Sequence, residues 1–162
     1  MSGAILRFLG KLPNSQNISN FSDFYPKCPI LSAKIDAILD QEVDTFLPYR
    51  ALKYKDNNGF KEMSLETANH YKKVINQEFI PLGFQKLSNL LKESKTGWLA
   101  GTKGPSIADF QWVGILMAVQ RGWSTDDTVL DGFPELNDLV GRFLELPSMK
   151  EYYKDREYKG WW

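Results

Sequence analysis

Residues 107–119 read Ile-Ala-Asp-Phe-Gln-Trp-Val-Gly-Ile-Leu-Met-Ala-Val, and no other stretch restricts the fold of this chain so strongly. A helix here is apolar on almost every side and has no face to give to water. It is also shorter than the ~20 residues that a membrane span needs. A short helix of this kind belongs inside a protein, with other elements packed around it. Its start is written just before it. In Ser106-Ile107-Ala108-Asp109 the serine oxygen can accept the Asp109 amide, and the Asp109 carboxylate can reach back to the Ser106 amide. Pro105 and Phe110 stand at the two staple positions. The spacing predicts a capped central helix from Ser106 to near Arg121, with Ser106 and Asp109 as its structural capping box.

The remaining segments supply walls for that helix, because their apolar residues recur with period 3.6 and period 2 is absent over any useful length. A long helix is expected from about Pro29 to Lys55, with Leu31, Ile35, Ile38, Leu39, Val43 and Phe46 as its apolar stripe. Pro48 should kink its last turns. Asp56-Asn57-Asn58-Gly59 is a turn signal. A second long helix is expected from about Ser64 to Ser94, with Tyr71, Val74, Ile75, Phe79, Leu82, Leu87, Leu90 and Leu91 facing the core. Pro81 should bend it. Phe133 to Leu146, opened by Pro134, and Ser148 to about Arg156 complete the set. Before all of these, Ser2 to Leu9 form a short amphipathic piece with Ile5, Phe8 and Leu9 on one side, stopped by Gly10. Leu12 to Pro29 read as a loop. The expectation is an all-α bundle of about five helices, with a further short helical piece at the N-terminus.

Composition narrows the function. The 20 basic residues balance the 20 acidic ones, so there is no electrostatic footprint for nucleic acid or an anionic membrane. The lone Cys28 cannot form an internal disulfide, which fits a reducing, cytoplasmic setting. His70 is the only histidine, so no histidine-based metal cluster is expected, and no metal is assigned. The carboxylates Asp36, Asp40 and Asp44 share one helix face and read first as a solvated surface.

Three motifs together resemble the cytosolic glutathione transferases. Gly97-Trp98-Leu99-Ala100-Gly101 followed by Ser106-Ile107-Ala108-Asp109-Phe110 is similar to the family's segment around its buried helix. Phe133-Pro134-Glu135-Leu136 through Leu146-Pro147-Ser148-Met149-Lys150-Glu151-Tyr152 is similar to its ending. Ile35 to Asp44 is similar to the first helix of the helical domain in the sigma-type branch, which includes the prostaglandin D isomerases. Ser2-Gly3-Ala4-Ile5-Leu6-Arg7-Phe8-Leu9-Gly10 resembles the last helix of the family's thioredoxin-like domain. The resemblance implies three parts: residues 1–11 as the remnant of that helix, 12–28 as linker, and 29–162 as the helical domain.

The same resemblance implies a function. The family joins the thiol of glutathione, its co-substrate, to a small hydrophobic electrophile. Ser2 and Asp44 match positions that hold glutathione, Asp44 from across a dimer. Phe46, Tyr49, Arg50, Gln111, Gly114 and Trp161 match the electrophile pocket, although read from spacing alone Phe46 and Tyr49 are equally ordinary packing residues. The residues that activate the thiol have no counterpart here, so no catalytic residue is assigned. The chain is expected to be inactive alone, and to form a homodimer or join another protein chain. The alternative is a non-catalytic helical docking module.

Overall fold

The computed structural model describes residues 2–11, 24–122 and 127–154. Among the described residues seven α-helices follow one another: α1 (Ser2–Lys11), α2 (Pro29–Lys53), α3 (Leu65–Val74), α4 (Ile80–Glu93), α5 (Ile107–Val119), α6 (Pro134–Leu144) and α7 (Pro147–Tyr153). A π-helical turn at Ile75–Phe79 joins α3 to α4, and a 3-10 turn at Asp127–Gly132 precedes α6. No strand occurs among the described residues. The all-α architecture expected from the sequence is the one observed.

No residue of α5 is exposed. The helix lies against α2 and α6, and α4 closes the bundle by touching the same two. Aromatic rings run through this four-helix core. Phe46 of α2 lies 6.3 Å from Trp112 of α5 and 6.4 Å from Phe84 of α4, and Phe84 lies 5.8 Å from Phe133. Trp112 is wholly buried and its indole N–H donates to the Ile38 carbonyl at 2.8 Å, so the ring is both packed and hydrogen-bonded. Helices α2 and α4 cross closely at Gly83, where a methyl group would lie 2.3 Å from Oγ1 of the buried Thr45. Only glycine fits that crossing.

The long helix expected over residues 64–94 is continuous but not of one pitch. Pro81 has no N–H, and its ring crowds the carbonyl of Gln77 four residues earlier. The backbone answers with a wider turn over Ile75–Phe79. That turn shifts the inward face by one residue. After Ile75 the buried positions are Ile80, Gly83, Phe84, Leu87, Ser88 and Leu91. Phe79 and Leu82, placed inward by simple 3.6 spacing, stand 47% and 60% exposed, and Tyr71 is also exposed. The stripe of α2 needs a similar correction. Val43 is exposed, and the inward positions between Leu39 and Phe46 are the polar residues Glu42 and Thr45.

Candidate functional site

The anchor of α5 sets the position of everything beside it. Ser106 is the N-cap, and the serine–aspartate box is formed. Asp109 has no exposed surface and accepts three hydrogen bonds: from the Ser106 amide at 2.7 Å, the Ser106 hydroxyl at 2.8 Å and the Leu99 amide at 2.9 Å. Burial pushes its carboxyl above the ordinary carboxylate value despite these donors. The Leu99 bond ties the loop Gly97–Gly101 to the helix start. Arg142 of α6 holds the same loop through the Gly97 carbonyl at 2.7 Å and lies over the Trp98 ring. The Phe24 carbonyl takes the Ile107 amide at 3.0 Å, satisfying one of the free donors of the first turn.

Helix α1 docks across the starts of α2 and α5. Gly10 sits where a methyl group would press on Ile107 and Tyr25, at 2.8 and 2.9 Å. Arg7 bridges to Asp36 at 2.6 Å and to Asp40 at 3.0 Å, and the Tyr25 hydroxyl donates to Asp36 at 2.7 Å. Burial works against ionised Asp36, but Arg7 and Tyr25 outweigh it and lower its pKa. Two of the three carboxylates read as a solvated face are therefore a clamp for α1. Asp44, one turn beyond Asp40, is exposed. Among the described residues no group of three or more histidine, cysteine or acidic side chains could hold a metal.

Between α2 and α5 a third acidic residue organises the residues named for the pocket. Glu42 is 5% exposed. One oxygen pairs with Nη2 of Arg50, and the other accepts from Nε2 of Gln111 at 3.3 Å. The same Gln111 nitrogen is 3.4 Å from the Leu39 carbonyl. Two acceptors on that side fix which end of the amide is nitrogen. They leave Gln111 Oε1 buried with no partner among the described residues. One turn further along α5, a methyl group on Gly114 would meet nothing within 4 Å. Tyr49 is half-buried and packs against the core from its edge.

Arg50, Gln111 and Gly114 thus gather at one α2–α5 seam. Phe46 is wholly buried among Phe84 and Trp112 and here belongs to the core rather than to an open wall. Ser2 is the first residue of α1, but its side chain and Trp161 lie outside the described residues. Sequence reasoning missed Glu42. Its signal was position, since it stands four residues after Ile38 and four before Phe46, on the face that packs inward.

A capped, buried helix walled by long helices, with a loop pinned to its first turn, defines the helical domain of the glutathione transferase type. The family model described as "Glutathione S-transferase, C-terminal domain" matches residues 43–156, and the chain belongs to that family. A monomeric glutathione S-transferase of the human hookworm Necator americanus is 28% identical, with a TM-score of 0.59, over 83% of this chain and 62% of its own. A Pi-class glutathione S-transferase of Onchocerca volvulus is 25% identical, with a TM-score of 0.67, over 96% of this chain and 64% of its own. Prostaglandin synthase D of Nilaparvata lugens shares the fold at 22% identity and a TM-score of 0.69, over 97% of this chain and 68% of its own. The chain thus spans roughly two thirds of the length of these solved relatives. Comparison with curated proteins found no match. No helix among the described residues is long and apolar enough to cross a membrane.

Proposed function

We propose that this chain supplies the electrophile side of a glutathione transferase, with glutathione as co-substrate, and that it does not bind glutathione by itself. The observation that carries this reading is the α2–α5 seam, where Arg50 and Gln111 meet on one buried carboxylate beside the open flank of Gly114. The chemistry of the family needs a thiolate and an electrophile held next to it. In this reading the seam holds the electrophile, a small hydrophobic compound, with Tyr49 at its edge and Trp161 contributed from the tail. Ser2 and Asp44 face glutathione, Asp44 from a partner subunit in the cytoplasm. Residues 1–11 are the end of a thioredoxin-like unit and 12–28 a linker to the helical domain.

The expected result is that the purified 162-residue chain passes through immobilised glutathione without retention. Retention followed by release with free glutathione contradicts the assignment.

Helix α1 favours an assembly in either case. Ile5, Phe8 and Leu9 follow at intervals of three and one along it and stand 57%, 63% and 52% exposed. An apolar strip of this kind is suited to a covering surface. The same strip supports the second reading, a docking module without catalysis.

A further inference from the structure

Helix α2 ends in a turn that leaves one backbone amide without a partner. Beyond Lys53 the chain makes one more hydrogen-bonded turn. The Asn58 amide donates to the Tyr54 carbonyl at 3.0 Å, and the Phe60 amide reaches back to the Lys55 carbonyl at 2.8 Å. Gly59, between them, has φ +84°, the left-handed conformation that closes a turn of this kind. The Gly59 amide donates to nothing among the described residues. Asn58 and Gly59 are both exposed, and a methyl group on Gly59 would meet nothing within 4 Å.

A free amide directly after an asparagine is a nucleophile within reach of its side-chain carbonyl carbon. The other described asparagines lack one. Asn69, Asn89 and Asn137 lie in α3, α4 and α6, and Asn76 lies in the π turn, where the following amide is bonded into the helix. The amide after Asn57 is that of Asn58, already given to Tyr54. Asn58 is also the one asparagine in the sequence followed by glycine, which has no side chain to crowd the attack.

We infer that Asn58 is a site of spontaneous modification, converting through a cyclic imide to aspartate and isoaspartate and so adding one negative charge at the end of α2. The Gly59 nitrogen loses its proton to solvent base and bonds to Cγ of Asn58. The Cγ–Nδ2 bond breaks, and the nitrogen leaves as ammonia with a proton from water. Water then opens the imide. Cleavage between the Gly59 nitrogen and Cγ gives aspartate, and cleavage between that nitrogen and the main-chain carbonyl carbon of Asn58 gives isoaspartate. Water is the sole co-reactant, and nothing is oxidised or reduced.

The product cannot do what the amide did. Nδ2 of Asn58 donates to the Ala51 carbonyl at 3.4 Å, one of the carbonyls left over at the end of α2. An ionised carboxylate has no proton to donate and places its charge at the negative end of the helix. Isoaspartate also lengthens the main chain by one carbon inside the turn that the Phe60 amide closes.

The test is peptide mapping of the full chain after incubation in mildly alkaline buffer, with the free peptide of residues 54–62 as a clock. Conversion at residue 58 is expected to exceed that at Asn69, Asn76, Asn89 or Asn137 by at least about tenfold, because those following amides are released only when a helix opens. Asn58→Gln, which needs a larger ring, should lose the product at this position. Asn58→Asp makes the charged product directly and should melt about 2–4 °C below the wild type, the shift for one lost helix-end interaction. Asn58 still intact when the free peptide has converted, or converting no faster than the helical asparagines, would overturn the inference. An Asn58→Asp chain that melts with the wild type would overturn the consequence for α2.

Discussion

Replacing Asp109 by alanine should destabilise the chain by about 3–5 kcal/mol, more than any other single polar substitution in the bundle. The reason is what stays behind. The carboxylate is wholly buried and receives the Ser106 amide, the Ser106 hydroxyl and the Leu99 amide. Alanine leaves two backbone donors in a dry site, each costing about 1–3 kcal/mol, while the hydroxyl can turn away. It also removes the cap of a core helix that packs on both α2 and α6, a loss of about 1 kcal/mol more. In urea the midpoint should fall with little change in slope. A loss below about 1 kcal/mol would mean that the loop and the helix start are not held by this group.

The pH dependence has opposite signs at Asp109 and Asp36. Asp109 has a raised pKa in the folded chain, so its protonation favours folding and acid does not remove its contribution. Asp36 has a lowered one, through Arg7 and Tyr25 against the effect of burial. Its contribution is complete above the unfolded carboxylate value of about 3.9, and is lost as pH falls through the folded value. Loosening of α1 in acid therefore belongs to Asp36.

The second large effect is at Phe46. Alanine there should cost about 3–5 kcal/mol, because the ring has no exposed surface and its removal leaves a cavity between Phe84 and Trp112. A pocket-wall residue behaves differently. It loses some contact with ligand and leaves stability within about 1 kcal/mol, since the space it vacates is already open to solvent. Thermal unfolding separates the two. For a chain of this size the core reading predicts a fall of about 6–20 °C, at 2–4 °C per kcal/mol. A shift of 2 °C or less would return Phe46 to the pocket.

Much of this bundle could be read from local pattern. The Ser106–Asp109 box and the apolar run behind it mark a helix start and its burial within a few adjacent residues, so nothing distant could hide them. Pro134 and Pro147 likewise sit in the first turn of α6 and α7. The reading failed where one residue changes the pitch. Pro81 signals a bend, but not that the chain would absorb it as a π turn, and that choice moves Phe79 and Leu82 outward and Ile80 and Phe84 inward. It failed again where polarity was taken for exposure. Glu42 sits on the inward face because Arg50 and Gln111, eight residues away on one helix and far along the chain on another, neutralise and bond it. Partners at that separation leave no mark in the local spacing. Arg7 with Asp36 and Asp40 is the same case.

The central claim is that α5, fixed by Ser106 and Asp109, is the element around which the bundle is organised. Native-state hydrogen exchange tests it most directly. The amides of Trp112 to Val119 should be the slowest in the chain and should exchange only by global unfolding, while those of α1 and α7 open far earlier. If the α5 amides exchange by local opening at rates like those of α1, the account is wrong.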